Sequence, residues 1–203
     1  MSKRWYQEKK HEHFYKEAKK VGYRARSAFK LKQIQKRFNV LKEDNIVIDL
    51  GAAPGGWSQV AKEIIGEKGT IIGIDLSPIK PISGITFLQG DMTEKTSIDE
   101  LIGIIGEKKV DVVLSDMSPD ISGNYSVDQA RSIYLCEQAL STVELVLKSG
   151  GHFICKVFEG EDFKDFSKKI KDNFKIVKHF SPPASRKSSS EIYIVAKYKI
   201  NML

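Results

Sequence analysis

Residues 45–65 constrain the fold most: the apolar run NIVIDL leads straight into GAAPGG and then WSQVAKEII. The first stretch reads as a short buried strand and the last as an amphipathic helix from about Trp57 to Ile65. Gly51, Gly55 and Gly56 lie between them and permit a tight turn and close approach of the backbone to a ligand. Strand, glycine-rich turn and helix in that order form the opening unit of a doubly wound α/β sheet. In such sheets ligands bind beyond the carboxyl ends of the strands.

The alternation continues along the chain. A helix is expected over residues 26–38, with Phe29, Ile34 and Phe38 on its apolar face. Strands are expected over 70–76, 85–91, 110–116 and 151–158, and helices over 95–105 and 162–172. Ser126 with Gln129 forms a candidate capping box for a long helix reaching about Leu147. The last two strands, 173–181 and 191–198, are joined by a loop too short for a crossover helix, so they should pair antiparallel. The expected architecture is a Rossmann-like α/β fold: a seven-stranded, mostly parallel sheet with one antiparallel strand and helices on both faces.

Charge is unevenly placed. Residues 1–42 hold 14 Lys and Arg against 3 Asp and Glu, within a chain of formal net charge +7. We read 1–42 as a basic helical extension and 43–203 as the α/β domain, together one globular unit. A basic arm on a mildly acidic body favours a polyanionic partner, although a solvated basic helix would look the same. Trp5, Tyr6, Phe14, Tyr15 and Tyr23 on this arm are suited either to packing on the body or to stacking on bases. No stretch resembles a signal peptide or a membrane span. The two cysteines, Cys136 and Cys155, show no metal-like spacing near the histidines. The expectation is a cytoplasmic protein without a metal, acting as a monomer.

Aspartates end three of the strands. Asp75, ending the second, stands where a carboxylate accepts hydrogen bonds from two ribose hydroxyls. Asp91 is placed to reach an adenine edge, and Asp116 to lie over the reactive end of a cofactor. A nicotinamide enzyme is the competing reading, with the fingerprint G-x-G-x-x-G. Here the aligned positions are Gly51, Ala53 and Gly56, and Pro54 removes an amide that a pyrophosphate would use. S-adenosylmethionine has no pyrophosphate and needs no such cradle.

Seven segments, in order, carry a resemblance over nearly the whole chain: YRARSAFKL (23–31), DLGAAPGGWSQ (49–59), GIDLSP (73–78), QGDM (89–92), LSDMSPDISG (114–123), FICKVFEG (153–160) and PPASRKSSSEIY (182–193). The sequence resembles the FtsJ-like RNA ribose 2′-O-methyltransferases, of the type that modifies large-subunit ribosomal RNA. The resemblance implies an S-adenosylmethionine-dependent methyltransferase fold. It also implies a Lys-Asp-Lys-Glu tetrad on Lys30, Asp116, Lys156 and Glu191, and cofactor contacts at Gly55, Trp57, Asp75, Asp91 and Asp116, beside Gly51 of the turn. The implied substrate is a uridine of 23S ribosomal RNA, on an assembled or nearly assembled subunit.

The chemistry calls for such residues independently. A ribose hydroxyl is a poor nucleophile and must lose its proton as it attacks. Lys156 is the candidate general base; it interrupts an apolar central strand, where an unpaired charge is costly. A free lysine, with a pKa of about 10.4, is too basic for that role at neutral pH. Desolvation and the like charge of Lys30 would make it a better base, whereas Asp116 and Glu191 act the other way and orient the lysines. Alternatively, Lys156 stays cationic and stabilises the developing alkoxide. Taken alone, Lys30 and Glu191 would pass for surface residues.

Arg24, Arg26, Arg186 and Lys187 are candidate phosphate contacts, which would position RNA without reading its sequence. None of His11, His13, His152 and His179 is assigned to catalysis, and Met117 and Cys155 read as packing. Two other functions compete: a transfer-RNA ribose methyltransferase of the same family, and a non-catalytic RNA-binding ribosome assembly factor. The short chain favours the ribosomal type over the first, and the intact tetrad argues against the second.

Overall fold

In the computed structural model, residues 13–186 and 189–201 are described. Trp5, Tyr6, His11 and Lys187 lie outside them. Helix α1 covers 13–21 of the described residues, followed by α2 (Ala28–Phe38), β1 (Ile46–Leu50), α3 (Gly56–Ile65), β2 (Thr70–Asp75) and β3 (Thr86–Gln89). Then come α4 (Lys95–Ile105), β4 (Val110–Ser115), α5 (Tyr125–Val146), β5 (Leu147–Phe158), α6 (Phe163–Asn173), β6 (Phe174–Phe180) and β7 (Glu191–Lys199).

The strands form one seven-stranded sheet in the order β3-β2-β1-β4-β5-β7-β6. β1 pairs in parallel with β2 and β4, β2 with β3, and β4 with β5. β7 runs antiparallel to both neighbours, β5 and β6. It is the single reversed strand that the short final loop implies. Its insertion between β5 and β6 could not be read from the loop, and this places Glu191 beside the end of β5.

Side chains alternate between two core layers, as the strand period of two requires. Ile48, Ile72, Val113, Phe153, Val157 and Ile194 pack with α4, α5 and α6 on one face. Val47, Ile71, Val112, Ile154, Tyr193 and Val195 pack with α2 and α3 on the other. Covering on both faces explains why the central strands are almost continuously apolar. The basic arm joins the second layer through Ala18, Tyr23, Leu31 and Ile34, with Phe14 packed against it. Phe14 and Tyr23 therefore pack on the body, whereas Tyr15 is exposed.

Two local expectations are corrected. α5 is capped by Asn124, whose side chain accepts from the amides of Ser126 and Val127, so the Ser126–Gln129 box does not form. Gln129 is instead buried. β5 begins at Leu147, four residues before the expected start, because Leu147 pairs with Val110 before a register shift that separates it from the Val112–His152 pair. No helix among the described residues is long and apolar enough to cross a membrane.

Candidate active site

The order of the sheet reverses at β1, which has β2 on one side and β4 on the other, and the crevice at this switch point is where such folds bind ligands. A cavity of about 540 Å³ opens there. Among its walls are Gly51, Asp75, Asp91 and Asp116, four residues selected from the sequence, joined by Met92 and Met117. Gly51 has φ +74°, and a Cβ at this position would stand 2.5 Å from Met117 Cγ. Only glycine brings the β1 turn this close to the loop after β4. Met117, read as packing, thus also shapes the cavity wall.

The three aspartates are differently engaged. Asp75 accepts from the amides of Ala53 (2.9 Å) and Ser77 (2.8 Å), one on each oxygen, which fixes the carboxylate plane. Asp91 uses Oδ1 for the amide and hydroxyl of Thr93. Beneath the turn, Asp49 is fully buried and accepts from Ser58 Oγ at 2.6 Å. Burial, with the nearby Asp116 and Asp75 carboxylates, outweighs that bond and pushes its acid up to about 7. Gly55 and Trp57 do not line the cavity. Gly55 (φ +108°) caps α3, and buried Trp57 donates from Nε1 to Ser27 O and stacks on Tyr193.

The register of β7 assembles the second cluster. Lys156 faces Tyr193 and Phe158 faces Glu191 across the β5–β7 ladder, so Lys156, Tyr193 and Glu191 share one face. Lys156 Nζ donates to the main-chain oxygen of Asp116 at 2.6 Å and lies 3.4 Å from its Oδ1. Lys30, reaching over from α2, is 2.5 Å from Glu191 Oε1, and Ser185 donates to the same oxygen at 2.9 Å. Burial alone would raise the Glu191 acid, but Lys30, Lys156 and Ser185 together hold it below its usual range. The four residues of the tetrad that the resemblance implies therefore lie close together, with Asp116 also lining the cavity.

Two residues absent from the sequence reading belong to this cluster, Tyr193 and Ser185. Tyr193 is fully buried and donates to Asp116 Oδ1 at 2.7 Å. The period of two placed it on the same face as Glu191, but an aromatic residue in an apolar strand reads as core.

The candidate phosphate contacts divide. Arg24 donates to the carbonyls of Pro54 (3.2 Å), Lys80 (2.5 Å) and Pro81 (2.8 Å), tying the glycine turn to the segment after β2. Its guanidinium is occupied by carbonyls. Arg26 is half-buried near Arg186 and Glu191, and its Nη1 has no hydrogen-bond partner among the described residues. Burial and then Arg186 lower its pKa. Arg186 is exposed on the loop before β7. His152 and His179 lie in side-chain contacts with Tyr198 and Phe163, away from the cluster. No group of His, Cys, Asp and Glu among the described residues is arranged to hold a metal ion.

The FtsJ-like methyltransferase family model matches residues 23–199. The chain belongs to the FtsJ-like methyltransferase family. It is 49% identical over 186 residues to the ribosomal RNA large subunit methyltransferase E of Methanosarcina acetivorans, covering 92% of this chain and 68% of that protein. It is 44% identical over 196 residues to the protein of the same name from Acinetobacter baumannii, covering 97% of this chain and 91% of that one. A ribosomal RNA methyltransferase structure from Plasmodium falciparum superposes with a TM-score of 0.80 at 31% identity, covering 89% of this chain and all of that one. As an FtsJ-like methyltransferase, the chain is an enzyme of S-adenosylmethionine-dependent methyl transfer.

Proposed function

We propose that this FtsJ-like methyltransferase methylates a ribose 2′-hydroxyl of RNA, and that its substrate is a uridine of 23S ribosomal RNA within the large subunit. The observation that carries this reading is the Lys156 side-chain nitrogen, buried near the end of β5 against Asp116, which itself lines the cavity at the switch point. The names of the relatives supply the RNA class.

The residues present fit S-adenosylmethionine. The Gly51 turn admits a ligand at a point where any Cβ would collide with Met117. Asp75 is braced by two amides to meet a diol, and Asp91 keeps Oδ2 for an amino edge. When bound, S-adenosylmethionine supplies an electrophilic sulfonium methyl. Asp116 would hold the end of the cavity nearest Lys156. Lys156 would take the proton of the 2′-hydroxyl, or hold the developing alkoxide by charge. Lys30 and Glu191 form an ion pair on the same side of the sheet as Lys156. An uncharged sugar edge would then face a cluster of preorganised charges.

Methyl incorporation from labelled S-adenosylmethionine into total RNA, with mapping of the modified nucleotide, tests the reading. Label on the 2′-oxygen of a uridine in the large-subunit RNA is expected; label confined to transfer RNA would move the substrate, and absence of any label would reject the reaction. Lys156→Ala should abolish transfer while leaving cofactor affinity within a few-fold.

A further inference from the structure

We propose that Tyr193 is a positioning residue for methyl transfer, acting as a fixed hydrogen-bond donor that sets the orientation of Asp116 against Lys156. The proposal rests on the methyl-transfer reading above and adds to its tetrad a neutral member.

Tyr193 sits among the charged members of the cluster. It stands opposite Lys156 in the ladder, two residues after Glu191 on the same strand face. Its hydroxyl donates at 2.7 Å to Asp116 Oδ1, the same oxygen that faces Lys156 Nζ at 3.4 Å. Lys30 Nζ lies 5.6 Å over its ring. On the α3 side the ring stacks on Trp57, with centroids 5.7 Å apart and planes 28° from parallel. Trp57 is in turn fixed by its indole bond to Ser27 O, at the start of α2. The phenol is thereby held by ring contacts and at its tip.

A hydroxyl in this apolar layer is costly to bury unless it is bonded, and phenylalanine would fill the same volume without that cost. The bond to a carboxylate is of the charge-assisted kind, stronger than a neutral one. Burial, followed by Asp116 and Glu191, holds the phenol well above its ordinary value of 10.0, so it stays a donor across the working range of pH. A permanent donor on Oδ1 fixes the torsion of the Asp116 carboxylate. It also shares the charge of that oxygen, which otherwise falls wholly to Lys156. The Asp116 backbone carbonyl, which Lys156 holds at 2.6 Å, then fixes the amine against the same residue. Without the hydroxyl, Asp116 can rotate towards Lys156 or into the cavity, and the amine loses its alignment.

The test is Tyr193→Phe, assayed for steady-state transfer on RNA alongside wild type, with folding followed by thermal unfolding. Loss of one charge-assisted bond predicts a fall in kcat of about ten- to a hundredfold, with KM for RNA and Kd for S-adenosylmethionine within about threefold. Replacing Tyr193 by 3-fluorotyrosine restores the hydroxyl and should restore most of kcat, which a purely steric role for the ring does not predict. A phenylalanine variant with kcat within twofold of wild type overturns the proposal, as does a loss that the fluorinated residue fails to rescue. Wild-type turnover checks the methyl-transfer reading separately. If wild type proves inactive, the Tyr193–Asp116 link is still read by NMR of [13Cζ]tyrosine-labelled protein: the Tyr193 resonance, assigned by its loss in Tyr193→Phe, must shift on Asp116→Asn. An unmoved resonance removes the link.

Discussion

Lys30 Nζ and Glu191 Oε1 lie 2.5 Å apart although 161 residues separate them in the chain, and their side chains are only 10% and 12% exposed. Both charges are largely removed from water, so each depends on the other. Lys30→Ala leaves the Glu191 carboxylate with Ser185 but without its nearest cation, and should cost about 3–5 kcal/mol in urea unfolding. The acid of Glu191 is depressed below its ordinary 4.5, so the contribution of the pair is present above that pH and is lost as pH falls below it. The deficit of Lys30→Ala should therefore shrink under acid. A deficit equal at pH 3 and pH 7 would show that the pair does not stabilise the fold.

Asp49 and His152 give opposite pH dependences to stability. The Asp49 acid is raised from 3.8 to about 7 by burial, so between these values the unfolded chain is ionised where the native one is protonated, and stability falls as pH rises. His152 is lowered from 6.5 to about 4, first by burial and then by Lys197, so stability rises with pH across that window. The two slopes partly cancel in the wild type. Asp49→Asn removes the first, and its stability relative to wild type should climb by on the order of 4 kcal/mol between pH 4 and pH 7. Parallel stability curves for variant and wild type would mean that the Asp49 acid titrates in the native state as it does in the unfolded chain.

Gly51 and Gly123 separate conformational strain from contact. Both have positive φ, +74° and +85°, but a Cβ at Gly51 meets Met117 Cγ at 2.5 Å, while at Gly123 nothing lies within 4 Å. Gly123→Ala should cost about 1 kcal/mol from backbone strain and leave S-adenosylmethionine affinity unchanged. Gly51→Ala adds displacement of Met117 and of the adjoining Asp116, and cofactor affinity measured by calorimetry should fall at least tenfold. Equal losses of affinity in the two variants would rule out a steric role for the Gly51–Met117 approach.

Much of this was legible from the residues. Apolar runs alternating with amphipathic segments predict the sheet, and a charge inside an apolar strand marks Lys156 because such a charge needs a partner. The partner itself was less legible. The ladder opposite Lys156 depends on β7 inserting between β5 and β6, a tertiary choice that no local pattern encodes. Lys30 and Glu191, unremarkable alone, emerged only through family resemblance. Tyr193 was missed because a tyrosine in an apolar strand has the hydropathy of core, and its hydroxyl matters only once Asp116 is beside it. The cap of α5 was misplaced for a related reason: Asn124, Ser126 and Asp128 are all competent polar residues near the start, and backbone geometry selects Asn124.

Arg24 shows why a basic residue near an RNA site need not contact RNA, and this separates two kinds of variant. Its guanidinium is taken by the Pro54, Lys80 and Pro81 carbonyls, and its amide donates to Gln59, so it braces the glycine turn from outside. Arg24→Ala should therefore weaken S-adenosylmethionine binding several-fold by loosening that turn, and leave the salt dependence of RNA binding as it was. Arg186, exposed on the loop before β7, is the proposed phosphate contact. Arg186→Ala should weaken RNA binding evenly across sequences and reduce the slope of log K against log salt by about 1, with cofactor binding intact. Binding titrations of both ligands at several salt concentrations decide the matter. A reduced slope for Arg24→Ala with unchanged cofactor affinity would return Arg24 to the RNA interface, because a side chain committed to carbonyls has no charge-neutralising contact to lose.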